Sequence, residues 1–395
     1  MSRRILALAV LALIATALAP SVTTNVGPSP AGALRGDKVL CAQAPVGLAH
    51  CHAHVVTRDG NVTPDATMSY RSGYNPAQLL KVYGPTGPGG TTTIAIVDAY
   101  AHPTAAADLA AYRDRFGLGT ATLSQYNQDG GTTLPAGNTH WGQEQMLDLE
   151  MVFAVCPTCP IIYVGANSAS FTDLGTAVRT AAAKGAKVIS NSYGGSESSS
   201  ETAIQSSFYT IPGVAITVSS GDSGYGAQSP AAYNTVTAVG GTSLTLNADG
   251  TRANETVWSG VGSGCSAYII KPSWQHDPSC TPRTIADVAA VADPATGVAV
   301  YDSYGSTGGA NWFVFGGTSV AAPIIGGVYA LSGNTAGTPA ALLYGTVRTL
   351  FDVTSGSNGR CTTRRTTGSA YLCTGVVGYD GPTGNGTPNA SLTAF

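Results

Sequence analysis

From Tyr74 onward the chain alternates short β-branched apolar runs with longer helical stretches, and few folds satisfy that rhythm. Thr93–Asp98, Ile161–Val164, Lys187–Ser190, Val214–Val218 and Val236–Val239 read as strands. Pro103–Tyr112, Gln145–Val155, Leu174–Lys184 and Val320–Leu331 read as helices. The strand runs are apolar throughout, the pattern of strands buried on both faces. An α/β domain follows, with a mostly parallel sheet covered by helices on both sides. Functional residues in such sheets collect at the carboxyl ends of the strands. Residues 34–73 break the rhythm: they are polar and read as a short irregular N-terminal segment before a domain spanning 74–395.

Four segments could carry chemistry. In Gly316-Gly317-Thr318-Ser319 a glycine-rich turn delivers a serine to the start of a helix. Free N–H groups and the helix dipole favour negative charge there, although an N-capping serine would look the same. Glu144 and Asp148 stand at i and i+4, so both carboxyls share one helix face while Glu150 points elsewhere. A solvated acidic face is the plain alternative. The apolar residues around them (Met146, Leu147, Leu149, Met151, Val152 and Phe153) argue instead for a buried pair sharing a proton. Asp222, in Ser220-Gly221-Asp222-Ser223-Gly224, follows the run Val214–Val218. Kept protonated it could donate to an oxyanion; otherwise it is an Asx-turn. Asp352 and Asp380, among glycine-flanked carbonyls, suit Ca²⁺ or are ordinary turn residues.

Taken in order along the chain, these segments resemble the sedolisin family of serine-carboxyl peptidases, which share a subtilisin-like core. The likeness runs from about Tyr74 to Asn389. It includes Tyr74-Asn75-Pro76, Ala95-Ile96-Val97-Asp98-Ala99-Tyr100 and Glu144 with Asp148. It continues through Ser220-Gly221-Asp222, Val239-Gly240-Gly241-Thr242, Pro272-Ser273-Trp274-Gln275 and Gly317-Thr318-Ser319 to the Asp352 and Asp380 segments. The resemblance implies a subtilisin-like doubly wound fold and peptide hydrolysis at acidic pH. It implies Ser319 as nucleophile, Glu144 as general base, Asp148 orienting it and Asp222 at the oxyanion. It also implies Ca²⁺ on Asp352, Asp380 and the carbonyls of Val353, Val376 and Gly378. The chain departs from the family in two places. Residues 34–73 are too few for the folded prosegment that family members usually carry. Val376 stands where the calcium loop often has glycine, which a carbonyl ligand tolerates only at negative φ.

The first residues read as a secretory signal over 1–33. Arg3 and Arg4 precede the apolar run Ile5–Leu18, with cleavage candidates at Ala17-Leu18-Ala19 and Ala31-Gly32-Ala33. The run is shorter than the ~20 residues of a spanning helix. Eight cysteines after such a signal read as disulfides. They fall in close pairs, and neighbour pairing is the simplest of 105 possible connectivities. Cys156-Pro-Thr-Cys159 could instead be a redox motif. His50, His52 and His54 alternate and could bind a metal, or belong to a solvated tail. Charged residues are only 10% of the chain, against a usual ~25%, and the net charge is −3. No basic surface points to nucleic acid. The expected partner is a peptide or protein substrate, met outside the cell by a monomer with no membrane attachment after signal removal.

Two rival readings remain at this point. A subtilisin-type enzyme would use Asp98, His140 and Ser319. A secreted, calcium-stabilised binding protein would keep the fold without activity.

Overall fold

The computed structural model describes residues 36–59, 63–84, 90–120, 122–306, 308–335, 337–345, 349–361, 369–390 and 395. The signal sequence expected over residues 1–33 lies outside them.

Three short strands come first: β1 (Gly36–Val39), β2 (His50–Cys51) and β3 (His54–Thr57). The central sheet is built from β4 (Ile94–Ala99), β5 (Leu123–Asn127), β6 (Ile161–Ala166) and β7 (Val188–Asn191). The short strand β8 (Tyr193–Ser196) follows β7, and the sheet continues with β9 (Ala215–Ser219), β10 (Thr237–Leu246), β11 (Arg252–Val257) and β12 (Val288–Val291). The last strands are β13 (Val298–Tyr301) and β14 (Trp312–Gly316).

The central sheet runs β11-β10-β9-β7-β4-β6-β5, with β12 also paired to β10. Its pairs are parallel except β10 with β11. Every residue of β4, β6, β7 and β9 is buried, as strands covered on both faces must be. This is the α/β architecture expected from the alternation of elements.

The helices that position the site are α1 (Pro76–Tyr83), α2 (Ala105–Phe116), α3 (Thr139–Val155), α4 (Phe171–Ala183) and α5 (Thr318–Ser332). Helix α3 begins earlier than its apolar pattern suggests. The Asn138 side chain caps it by accepting from the N–H groups of His140 and Trp141. From Glu144 to Val155 every α3 residue is buried, and α3 packs directly on α5. Pro323 lies inside α5 and removes the N–H that would bond the Ser319 carbonyl.

The N-terminal segment is not the irregular, solvated stretch its polarity suggested. Strands β1 and β3 pair with each other and join β14 and β13 in an antiparallel sheet. Strand β2 pairs with β8. Two of the histidines that made the segment look hydrophilic, His52 and His54, are buried against polar partners instead of facing water. Cysteines are bridged to their neighbours: Cys41–Cys51, Cys156–Cys159, Cys265–Cys280 and Cys361–Cys373. Cys156 and Cys159 are buried at the end of α3, which suits a structural bridge. No helix among the described residues is long and apolar enough to cross a membrane.

Candidate active site

Ser319 sits in the first turn of α5, two residues after Gly317, whose φ is +100°. That left-handed backbone favours glycine, and a side chain there would also strike the carbonyl oxygen of His52. The Ser319 N–H donates to that same carbonyl at 3.3 Å. The Ser319 hydroxyl donates to the Ser192 carbonyl, also at 3.3 Å.

Helix α3 brings its carboxyls to the same place. The Ser192 hydroxyl donates to Asp148 Oδ1 at 2.7 Å, so Ser192 touches both the serine and the acid. Burial pushes Glu144 well above the usual carboxylate range; Asp148, Asp98 and more weakly Asp222 add to this, while the nearby Ser319 hydroxyl opposes it. Neither Glu144 oxygen has a hydrogen-bond partner of normal geometry. Asp148 is raised likewise by burial and by Asp98, with the Ser192 bond opposing. Glu144, Asp148 and Ser319 are all fully buried. The paired carboxyls of α3 and the serine of α5 thus share one buried site.

Asp98 is a third carboxyl in this cluster. It is the penultimate residue of β4, neither oxygen has a partner, and burial raises it to about 8. The triad Asp98/His140/Ser319 does not form. His140 is exposed in the first turn of α3, and no described hydrogen bond joins its side chain to Asp98 or Ser319. Glu144, one turn further along α3, takes the inward position.

Asp222 caps α5. Its Oδ1 accepts from the Thr318 N–H at 2.9 Å and the Thr318 hydroxyl at 2.7 Å. Its Oδ2 lies 3.4 Å from His54 Nε2, and His54 Nδ1 lies 2.5 Å from Asp37. Burial works to raise Asp222, but the His54 and Thr318 contacts win and hold it below the ordinary range. Burial likewise opposes charge on His54, yet the carboxylates of Asp222, in ion-pair contact, and Asp37, hydrogen-bonded, raise it to about 10. The His54 contact thus favours the charged form of Asp222, for which a protonated donor was expected.

Near the C-terminus, Asp352 Oδ2 accepts from the Gly378 N–H at 2.9 Å, and Asp380 Oδ2 from the Val376 N–H at 3.2 Å. Burial raises Asp380 to about 7, against bonds from Thr383 and Val376 and with a smaller push from Asp352. Asp352 Oδ1 is buried without a partner. Val376 is not among the residues with positive φ, so valine is tolerated there. Two converging carboxylates, one with an orphaned oxygen, are a donor set that fits a hard cation.

Sequence reasoning missed Ser192, the approach of His52 to the serine and that of His54 to Asp222. The alternation of the histidines was visible, but not the distant partners Ser219, Gln228 and Asp222. A further group, His102, Asp108 and Asp302, also went unnoticed. Its imidazole bonds Asp302 at 2.7 Å and accepts from the Thr104 N–H at 3.2 Å.

Comparison with known proteins identifies the family and the fold. The Peptidase_S8 model, described as the subtilase family, matches residues 77–369. The chain is 34% identical over 218 residues to sedolisin from Pseudomonas sp. (strain 101), covering 46% of this chain. That match spans 35% of the relative's length. Among solved structures, Pseudomonas sedolisin, a serine-carboxyl proteinase complexed with two molecules of pseudo-iodotyrostatin, superposes with a TM-score of 0.67 at 26% identity. That superposition covers 81% of this chain and 96% of the other. A lanthipeptide protease shares the fold at a TM-score of 0.50 and 14% identity, covering 77% of this chain and 88% of the other.

Proposed function

Because the chain belongs to the subtilase family, as its sedolisin-like branch, we propose that it is a secreted serine-carboxyl peptidase active at acidic pH. One observation carries the reading: the buried carboxyls of Glu144 and Asp148 meet Ser319 at the N-terminus of α5.

In this reading the Ser319 hydroxyl attacks the scissile carbonyl as Glu144 takes its proton. Asp148, held by Ser192, orients Glu144 and shares the proton. The Ser319 N–H and a protonated Asp222 stabilise the oxyanion. Glu144 then protonates the leaving amine, and water releases the acyl group by the same path. Glu144 holds its proton while the site is closed; hydration on opening brings its pKa down towards an acidic working range. Asp222 can donate only after it is freed from His54.

Asp352, Asp380 and the carbonyls of Val353, Val376 and Gly378 would hold Ca²⁺. Bound there, the ion supplies charge neutralisation for two carboxylates and ties the C-terminal loop together. The substrate class is a peptide or unfolded protein, met outside the cell.

The test is peptide hydrolysis across pH 3 to 8. Ser319→Ala should abolish it, and Glu144→Gln should cost about 10²–10⁴ in kcat, the usual worth of a general base. His140→Ala should change little. Near-normal turnover by Ser319→Ala, or a profile rising into alkali, would remove the mechanism.

A further inference from the structure

The residues around His52 lie on the site as a bound peptide would. An extended peptide recognised through its main chain adds a strand to an exposed edge and places one carbonyl at the oxyanion donors. Both conditions are met within this chain. His50 pairs with Gly194 and Cys51 with Tyr193, antiparallel, along β8. The His52 N–H donates to the Ser192 carbonyl at 3.2 Å, and its own carbonyl accepts from Ser319. Its imidazole enters a pocket: Ser219 Oγ is 2.7 Å from Nδ1 and Gln228 Oε1 is 2.9 Å from Nε2. A side chain on Gly194 would stand only 2.6 Å from the ring, so glycine keeps that pocket open.

We propose that residues 40–54 are a built-in substrate mimic, with His52 in the pocket for the residue on the acyl side of the scissile bond and the His52–Ala53 bond presented to Ser319. The proposal rests on the peptidase reading above. Ser219, Gln228 and Gly194 are then the residues that select a hydrogen-bonding side chain at that position.

Two features make the segment an inhibitor more than a consumed substrate. His54, one residue past the presented bond, holds the Asp222 carboxylate and so withholds an oxyanion donor. The segment is also fastened on both sides of that bond. Strand β1 pairs with β3 from Gly36↔Thr57 to Val39↔His54, Leu40 N–H bonds the Ala53 carbonyl, and Cys41 is bridged to Cys51. Should Ser319 Oγ bond the His52 carbonyl carbon, the C–N bond to Ala53 would break and the Ala53 nitrogen would take the proton. The new amine stays beside the ester, so it can attack, expel Ser319 and re-form the peptide bond faster than it diffuses away.

Two measurements test this on the full chain. In the first, His52→Gly, which empties the pocket, should raise the initial rate on an unfolded protein substrate at acidic pH by about tenfold or more, as expected when an intramolecular competitor is weakened. An equal or lower rate from a folded variant overturns the proposal. The second needs no catalysis: calorimetric titration of the peptide acetyl-Ala-His-Ser-His-amide onto Ser319→Ala and onto Ser319→Ala/His52→Gly. Binding should be strong only to the double variant and should weaken about tenfold, the worth of one good hydrogen bond, when Gln228→Ala is added. Equal affinity for both proteins, or none for either, overturns the substrate mimic. If no protein hydrolyses peptides while the binding contrast holds, the peptidase reading fails and the docked segment stands.

Discussion

The hydroxyl of Ser192 donates to Asp148 at 2.7 Å while its carbonyl accepts from Ser319. One residue just after β7 therefore links Asp148 on α3 to Ser319 on α5. Ser192→Ala keeps the carbonyl and removes only the hydroxyl. Leaving that buried carboxyl oxygen unpaired costs about 1–3 kcal/mol, so kcat should fall roughly fivefold to a hundredfold with KM little changed. Steady-state kinetics of the variant checks this; a change confined to KM would mean that the hydroxyl serves substrate binding instead.

Stability should fall as pH rises from mild acid. Asp98, Glu144 and Asp148 hold protons in the folded protein that the unfolded chain gives up near pH 4. Above that pH the folded state binds more protons than the unfolded one, and each such group costs ~1.4 kcal/mol per pH unit. For Asp98 the window runs from the ordinary aspartate value to about 8. Thermal melts at pH 4, 6 and 8 should give a steadily falling Tm. Asp98→Asn should flatten part of the slope.

Docking of the His52 segment should weaken in acid. Burial lowers His52 from 6.5 to about 4, and His50 is shifted the same way. Protons below pH 6.5 thus favour the undocked segment, by about tenfold per pH unit for His52 until its docked pKa is reached. The neighbouring charges do not reverse this. His54 is raised to about 10, so its favourable contribution is complete below 6.5 and stays constant, while Asp222 remains ionised until lower pH still. Affinity for Ser319→Ala of acetyl-Ala-Gln-Ser-Gln-amide, which has no titrating side chain of its own, should rise between pH 6.5 and 4. A flat titration would count against His52 as the sensor.

Removal of divalent cations should lower Tm by several degrees. A ligand that binds only the folded state adds ~2.7 kcal/mol at a hundred times its Kd, and each kcal/mol moves a chain of this size by about 1–1.5 °C. Asp352→Asn should lower Tm in calcium and erase the response to chelator. An unchanged melt in chelator would remove calcium from the account.

Much of this was legible in sequence because the signals are local. The i, i+4 spacing of Glu144 and Asp148 fixes them on one face of a helix wherever that helix lies. Gly317 before Ser319 marks a turn only glycine makes easily. The buried strands declare themselves by unbroken apolar runs. What stayed hidden depends on contacts between distant parts of the chain. His52 reads as polar because nothing near it in sequence reveals Ser219 or Gln228, 167 and 176 residues away. Asp222 reads as a free acid for the same reason, since its charge state is set by His54. Asp98 visibly lies near the end of its strand, but its closeness to α3 follows only from how that helix crosses the sheet.

The bridge between Cys41 and Cys51 carries a kinetic consequence. A tethered strand already shaped for the cleft competes at an effective concentration of about millimolar, whatever the amount of enzyme in the tube. An incoming peptide therefore meets an occupied berth, and apparent KM exceeds its true dissociation constant by one plus the ratio of that concentration to the strand's own Kd. Saturating peptide restores full turnover. Reductants that open the bridge should consequently lower KM and leave kcat where it was.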